Sequence, residues 1–196
     1  MKRILWVVLL ATLALPLAAF ADQNVDFTNS GGTLSGDNSG LTLTDSALIV
    51  IKGINGTQTG TNLGTLAFST GALTSGNLQM GATFAAGGSF TITSNTQGTL
   101  FTGSFDGPVT WSLVTLANGT HNYTLSGSIS GSWKGGATVY GATTQLTINT
   151  GKGFFNGSTS ISSGDTNIVV PEPSSLTLIG TGLVGLAGAL KRKLKA

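Results

Sequence analysis

The chain has 196 residues, of which only 8% are charged and 30 are glycine, and its formal charge of +2 is concentrated at the two ends. Lys2, Arg3, Lys191, Arg192, Lys193 and Lys195 belong to the terminal segments, so residues 22–170 hold three lysines (Lys52, Lys134, Lys152) against six aspartates, a net −3. This excludes a basic nucleic-acid surface, and the absence of cysteine excludes disulfides, thiolate metal sites and a cysteine nucleophile.

The chain opens with Met1-Lys2-Arg3, an apolar run from Ile4 to Leu15, Pro16, and Ala19-Phe20-Ala21 before Asp22. A positive start, a short apolar segment and small residues at the cleavage subsites are the parts of a secretory signal peptide. The run is shorter than the roughly 20 residues a spanning helix needs, which favours removal over retention as an anchor. Cleavage by signal peptidase is expected after Ala21, with Ala19 and Ala21 filling the subsites, so residues 1–21 form a signal helix that the mature protein lacks.

Residues 22–169 read as one Gly/Thr/Ser-rich β domain, long enough to bury a core. The stretch from Asp22 to Gly40 is polar and glycine-rich and reads as a loose entry with at most one edge strand. Short alternating runs follow at Leu41–Thr44, Ala47–Ile51, Leu63–Phe68, Ser89–Thr93, Thr99–Phe105, Val109–Leu116, Asn122–Ile129, Thr138–Ile148 and Gly153–Phe155. Turn chemistry separates them at Lys52–Gly56, Ala86–Gly88, Asp106–Pro108, Ala117–Gly119 and Lys134–Gly136. Asn118-Gly119 predicts a type I′ hairpin, which needs positive φ at both central residues. In Trp111–Leu116 and Tyr123–Ile129 apolar and hydroxyl residues alternate, so one face packs and the other meets water. About nine such strands predict an all-β, antiparallel β-sandwich; a β-solenoid is the alternative, against which stands the lack of a fixed repeat.

Candidate chemistry in this domain is sparse. His121 is the only histidine, so neither a triad nor a histidine metal site can be completed, and an exposed position at a strand start is expected. Asp45, Asp106 and Asp165 could in principle supply the carboxylate pair of an envelope glycoside hydrolase, but each lies in a turn context where Asp bonds its own backbone. Asp37-Asn38-Ser39-Gly40 with Asp45 superficially resembles a calcium loop and lacks its glutamate and spacing. Trp111, Trp133 and Tyr140 suggest a platform for sugar rings; Trp111 reads as core, and Trp133, beside Lys134-Gly135, is the residue expected to be exposed for sugar contact. Thr42, Thr44, Thr91 and Thr93 read as solvent-facing strand positions. Asn-x-Ser/Thr at Asn55, Asn118, Asn122 and Asn156 is compositional. No cofactor, metal or catalytic residue is expected, and the domain is read as non-enzymatic.

The end of the chain carries more information. Val170-Pro171-Glu172-Pro173-Ser174-Ser175 fixes two φ angles and removes two backbone donors, so the β domain must stop there. From Ser174 to Leu190 a 17-residue apolar segment, roughly 25 Å as a helix, reaches across a bilayer at the short end of the range. Thr181, Gly185 and Ala189 put small residues on one face of that helix, where a membrane partner could approach closely. Lys191, Arg192, Lys193 and Lys195 follow as a stop-transfer cluster held in the cytoplasm.

This order of motif, short Gly-rich membrane helix and basic terminus resembles the PEP-CTERM sorting signal of Gram-negative bacteria, also catalogued as the ice-binding protein C-terminal domain. The resemblance covers residues 170–196, with the motif at 170–175, the transmembrane helix at 174–190 and the basic tail at 191–196. It implies recognition and cleavage by an exosortase near Pro171-Glu172-Pro173 and an association with exopolysaccharide and biofilm. The expected protein is therefore exported across the inner membrane, anchored by its C-terminal helix, and displayed at the surface or released after processing. A structural or adhesive role in the extracellular polymer is expected for its β domain, with a carbohydrate-binding module as the alternative.

Overall fold

The computed structural model describes residues 23–171, and the compact unit within it runs from Asn24 to Val170. The expected signal segment, the membrane helix, the basic cluster and motif residues Glu172, Pro173 and Ser174 lie outside the described residues. Fourteen strands form the unit: β1 (Gln23–Ser30), β2 (Thr33–Asp37), β3 (Gly40–Lys52), β4 (Thr57–Thr59), β5 (Gly64–Ser69), β6 (Leu73–Asn77), β7 (Gly81–Phe84), β8 (Gly87–Ser94), β9 (Gly98–Phe105), β10 (Val109–Thr115), β11 (His121–Trp133), β12 (Thr138–Asn149), β13 (Ser158–Ser160) and β14 (Ser163–Val170).

Eight of these strands close on themselves in the order β12-β14-β1-β3-β5-β8-β9-β11 and back to β12. Each pair with a recorded register is antiparallel, which leaves β14 and β1 antiparallel as well. The expected sandwich is thus corrected to a closed antiparallel barrel, and the solenoid alternative falls with it. Alternation alone does not separate the two, because a sandwich strand and a barrel strand each show one face to the core and one to water. Closure is decided by β14, which bonds β12 on one side and β1 on the other and so leaves the ring no open edge.

An eight-stranded barrel has an interior just wide enough to be filled by side chains. Here Phe68 (β5), Phe90 (β8) and Phe105 (β9) interlock, with Phe68 and Phe90 stacked at 5.8 Å and Phe105 edge-on to both at 5.6 and 5.8 Å. Outward positions are polar: Thr42, Thr44, Thr65, Thr102, Thr143, Gln145 and Asp165 are exposed. Apolar inside and polar outside is the reverse of a membrane-spanning barrel.

The two longest strands, β3 and β11 (13 residues each), serve more than one partner along an edge. β11 pairs with β9 through Ile129–Trp133 and with β10 through His121–Ser126, so β10, β7 and β6 branch away as a flap at one end. At the β9–β11 crossing Gly103 faces Gly131; a Cβ on Gly131 would sit 2.1 Å from the Thr102 carbonyl oxygen, so only glycine allows this approach. In β3, Thr44 and Asp45 stand opposite the single Ala67, a bulge with Asp45 at φ 56°.

The flap seats a second aromatic cluster. Trp111 (β10) stacks on Tyr123 (β11) at 4.8 Å, and Phe155 meets Trp111 edge-on at 5.4 Å. Trp111 Nε1 donates to the Leu78 carbonyl (2.9 Å), Tyr123 Oη donates to the Gln79 carbonyl (2.7 Å), and the Phe155 amide donates to Tyr123 Oη (3.1 Å). The β6–β7 turn and the loop 150–157 are thereby clamped together. Deeper in the barrel Asn29 and Ser46, both 0% exposed, bond through Asn29 Nδ2 and Ser46 Oγ at 2.7 Å.

Several local expectations change. The supposed loose entry contains β1 and β2, and β1 is a barrel stave whose Val25, Phe27 and Asn29 point inward at 0% exposure. Gly153–Phe155 is loop, with Phe155 acting as the clamp's plug. The Asn118-Gly119 hairpin forms, but only Gly119 has positive φ (80°); Gly119 N bonds Leu116 O and Leu116 N bonds Thr120 O, making a three-residue loop that ends in a left-handed glycine.

Replacing Gly131 by Ala should destabilise the barrel by about 1–3 kcal/mol through the backbone clash. Gly107→Ala, where a Cβ meets nothing within 4 Å, should stay within about 0.5 kcal/mol; equal denaturant midpoints for the two would contradict the close β9–β11 approach. Tyr123→Phe deletes a hydroxyl that donates once and accepts once in buried surroundings, and should cost about 1–3 kcal/mol in chemical denaturation. Hydrogen exchange should quicken first in residues 78–84 and 150–157, and uniform quickening would argue against the clamp.

Candidate functional site

Strand registers define the two ends of the barrel. Thr28 Oγ1 donates to Asp165 Oδ1 at 2.9 Å, so β1 and β14 run side by side with Gln23 and Val170 at the same end. Ile51, Phe101 and Trp133 lie at that proximal end, while the flap, the β2–β3 turn and the loop 150–157 occupy the distal end. Val170 is 6% exposed as the last residue of β14, and Pro171 follows it exposed.

Trp133 is not the exposed platform expected of it. It pairs with the buried Phe101, shares its inward face, and brings its ring to 6.2 Å from Phe27 on β1, so it half-fills the proximal mouth. The turn residues after it, Lys134-Gly135-Gly136, suggested exposure, but β11 keeps its register up to Trp133 itself. Trp111 is core, at 1% exposed. Tyr140 is the aromatic that stands free, at 79% exposed on β12. It owes this to a bulge in which Tyr140 and Gly141 stand opposite Ser130, with Gly141 N bonding Ser130 Oγ at 3.2 Å.

His121 departs from expectation as well. It is 8% exposed, its ring lies 4.3 Å from Phe154 in a stacked arrangement, and Nδ1 donates to the Gly153 carbonyl at 3.2 Å. The histidine fastens loop 150–157, and a sequence position just after a turn gave no sign of that partner.

Four of the five described aspartates have a partner. Asp26 meets Lys52 at 3.6 Å on the surface and Asp165 accepts from Thr28, while Asp45 stands exposed in the β3 bulge. Asp106 accepts a short bond from Ser130 Oγ; this bond first, and one from Ser128 second, hold its carboxyl below the usual range. Asp37 accepts from the Ser39 hydroxyl and, at 2.7 Å, from its amide, which lowers its pKa and accounts for the calcium-like string as a closed turn. Asp45, Asp106 and Asp165 thus sit on three separate strand pairs. Among the described residues no group of three His, Cys, Asp or Glu could hold a metal ion.

Grooves among the described residues include two of note. One, of about 470 Å³, runs over the barrel wall beside Pro108, Thr110, Ser126, Gln145, Asp165 and Asn167. The other, about 590 Å³, lies at the distal end between three turns; Asp37, Asn38, Asn77, Gln79 and Asn156 line it together with Ser39, Leu78 and two glycines. No short sequence motif announces it, because its residues come from segments near 38, 78 and 156.

Among the described residues no helix is long and apolar enough to cross a membrane. No curated protein and no solved structure matches the chain, so the barrel stands on its own geometry. Over residues 169–193 the chain matches the family model of the PEP-CTERM protein-sorting motif, and the protein accordingly carries the sorting tag of an exosortase-processed, surface-targeted protein.

Proposed function

We propose that this chain is exported, anchored through its C-terminal tag, and processed by an exosortase to place a non-enzymatic β-barrel in the extracellular polymer, where it has a structural and adhesive role. The observation that carries the reading is the sorting motif beginning at residue 169, where β14 has not yet ended. Val169 and Val170 belong to both, so no linker separates barrel from tag. A cut near Pro171-Glu172-Pro173 keeps β14 whole, whereas a cut before Val169 would remove its last two residues, the buried Val170 among them. In this reading Val170, Pro171, Glu172, Pro173 and Ser174 are what the exosortase recognises, and Lys191, Arg192, Lys193 and Lys195 hold the end of the chain in the cytoplasm during export.

A polar, weakly charged, hydroxyl-rich exterior suits residence among hydrated polysaccharide. The carbohydrate-binding reading gains from the amide-lined distal groove, not from Trp133. The hydrolase reading gains nothing here: Asp165 accepts from Thr28, Asp106 from Ser130, and Asp45 stands in the β3 bulge.

Intact mass of the protein recovered from envelope and medium tests the proposal. The expected mature species begins at Asp22 and ends at or just beyond Pro171, and it disappears when Pro171→Ala, Glu172→Ala and Pro173→Ala are combined. If the wild-type and substituted chains both retain Ala196, the processing reading is wrong.

A further inference from the structure

We infer that the distal groove between the β2–β3 turn, the β6–β7 turn and the loop 150–157 is a binding site for the hydroxyl groups of a neutral polysaccharide. At about 590 Å³ it falls in the size range of small-ligand sites, about 300–1,000 Å³. Its polar side chains are four amides, one carboxylate and the Ser39 hydroxyl, with Leu78 the apolar member and no lysine or arginine among them. An amide carries two donors and an acceptor in one plane, which matches neighbouring sugar hydroxyls, each able to donate and to accept. An anionic polymer would find no countercharge here.

The lining is held in place and yet left free to bind. Asn77 Oδ1 accepts from the Gln79 and Met80 amides at 3.1 and 2.8 Å, which fixes that side chain and leaves its Nδ2 available. Gln79 Nε2 donates to the Phe155 carbonyl at 3.3 Å, leaving Oε1, and Asp37 is pinned through Oδ1, leaving Oδ2. Asn38 and Asn156 are exposed and their side chains make no hydrogen bond among the described residues. Donors and acceptors fixed before a ligand arrives reduce the entropy lost on binding. Within the β unit the groove lies at the end opposite Asn24 and Val170.

This inference deepens the adhesive reading and rests on it only for the presence of a polymer. The test is isothermal titration of the full-length chain, purified in detergent, with hexasaccharides of a neutral glucan, a galactan and a mannan. At least one should bind saturably, and Asn38→Ala combined with Asn156→Ala should weaken it at least about tenfold with an unchanged melting temperature. Tyr140→Ala should bind as the wild type does. The inference is overturned if none of the three binds at millimolar concentration, if the double variant binds as well as wild type, or if Tyr140→Ala abolishes binding. Titration does not depend on processing and the mass measurement does not depend on sugar, so either can fail alone.

Discussion

β14 bonds β12 along one edge and β1 along the other, and the closed form of the domain depends on that double pairing. Without it β1 and β12 would both present unpaired edges, and the inward row Val25, Phe27 and Asn29 would lose the wall beside it. The Thr28–Asp165 bond on the outside and the Thr144–Thr166 hydroxyl pair on the inside (2.9 Å) show how closely the stave is fitted on both faces. The sorting-motif match begins on this same strand, at Val169.

Closure also organises the distal end. A ring of eight strands cannot take in every strand of the chain, so β10, β7 and β6 continue from the free half of β11, with the Trp111–Tyr123–Phe155 cluster beneath them. That cluster brings the β6–β7 turn and the loop 150–157 within hydrogen-bonding reach, Gly36 N bonds Gly157 O to add the β2–β3 segment, and their outward side chains line the amide-rich groove. Packing below and recognition above are two faces of one arrangement, with Tyr123 and Gln79 connecting them.

Charge plays a minor part in holding the domain. Among the described residues the ion pair Asp26–Lys52 is solvent-exposed, and exposed pairs contribute little. Stability comes from the apolar interior and from aspartates tied to serine, threonine and backbone, as at Asp37, Asp106 and Asp165. A weakly charged exterior of hydroxyls and amides follows, which is compatible with a hydrated polymer and unsuited to nucleic acid.

The sequence by itself determined the β class, most of the strands, the core role of Trp111 and the sorting tag, because these are written in local patterns: period-two alternation, turn residues, and three unlike elements in fixed order. β1 was legible in the same way, its Val25 and Phe27 alternating with polar residues, but the buried Asn29 and a polar neighbourhood concealed it. Tertiary structure alone decided barrel over sandwich, the inward turn of Trp133, the burial of His121 under Phe154 and the free standing of Tyr140. Each of these depends on which strand lies beside which, or on a bulge that changes which face a residue takes. Pairing between residues more than a hundred positions apart, such as Thr28 with Asp165, leaves no mark in a local pattern, and the groove assembled from residues near 38, 78 and 156 exists only once that pairing is made.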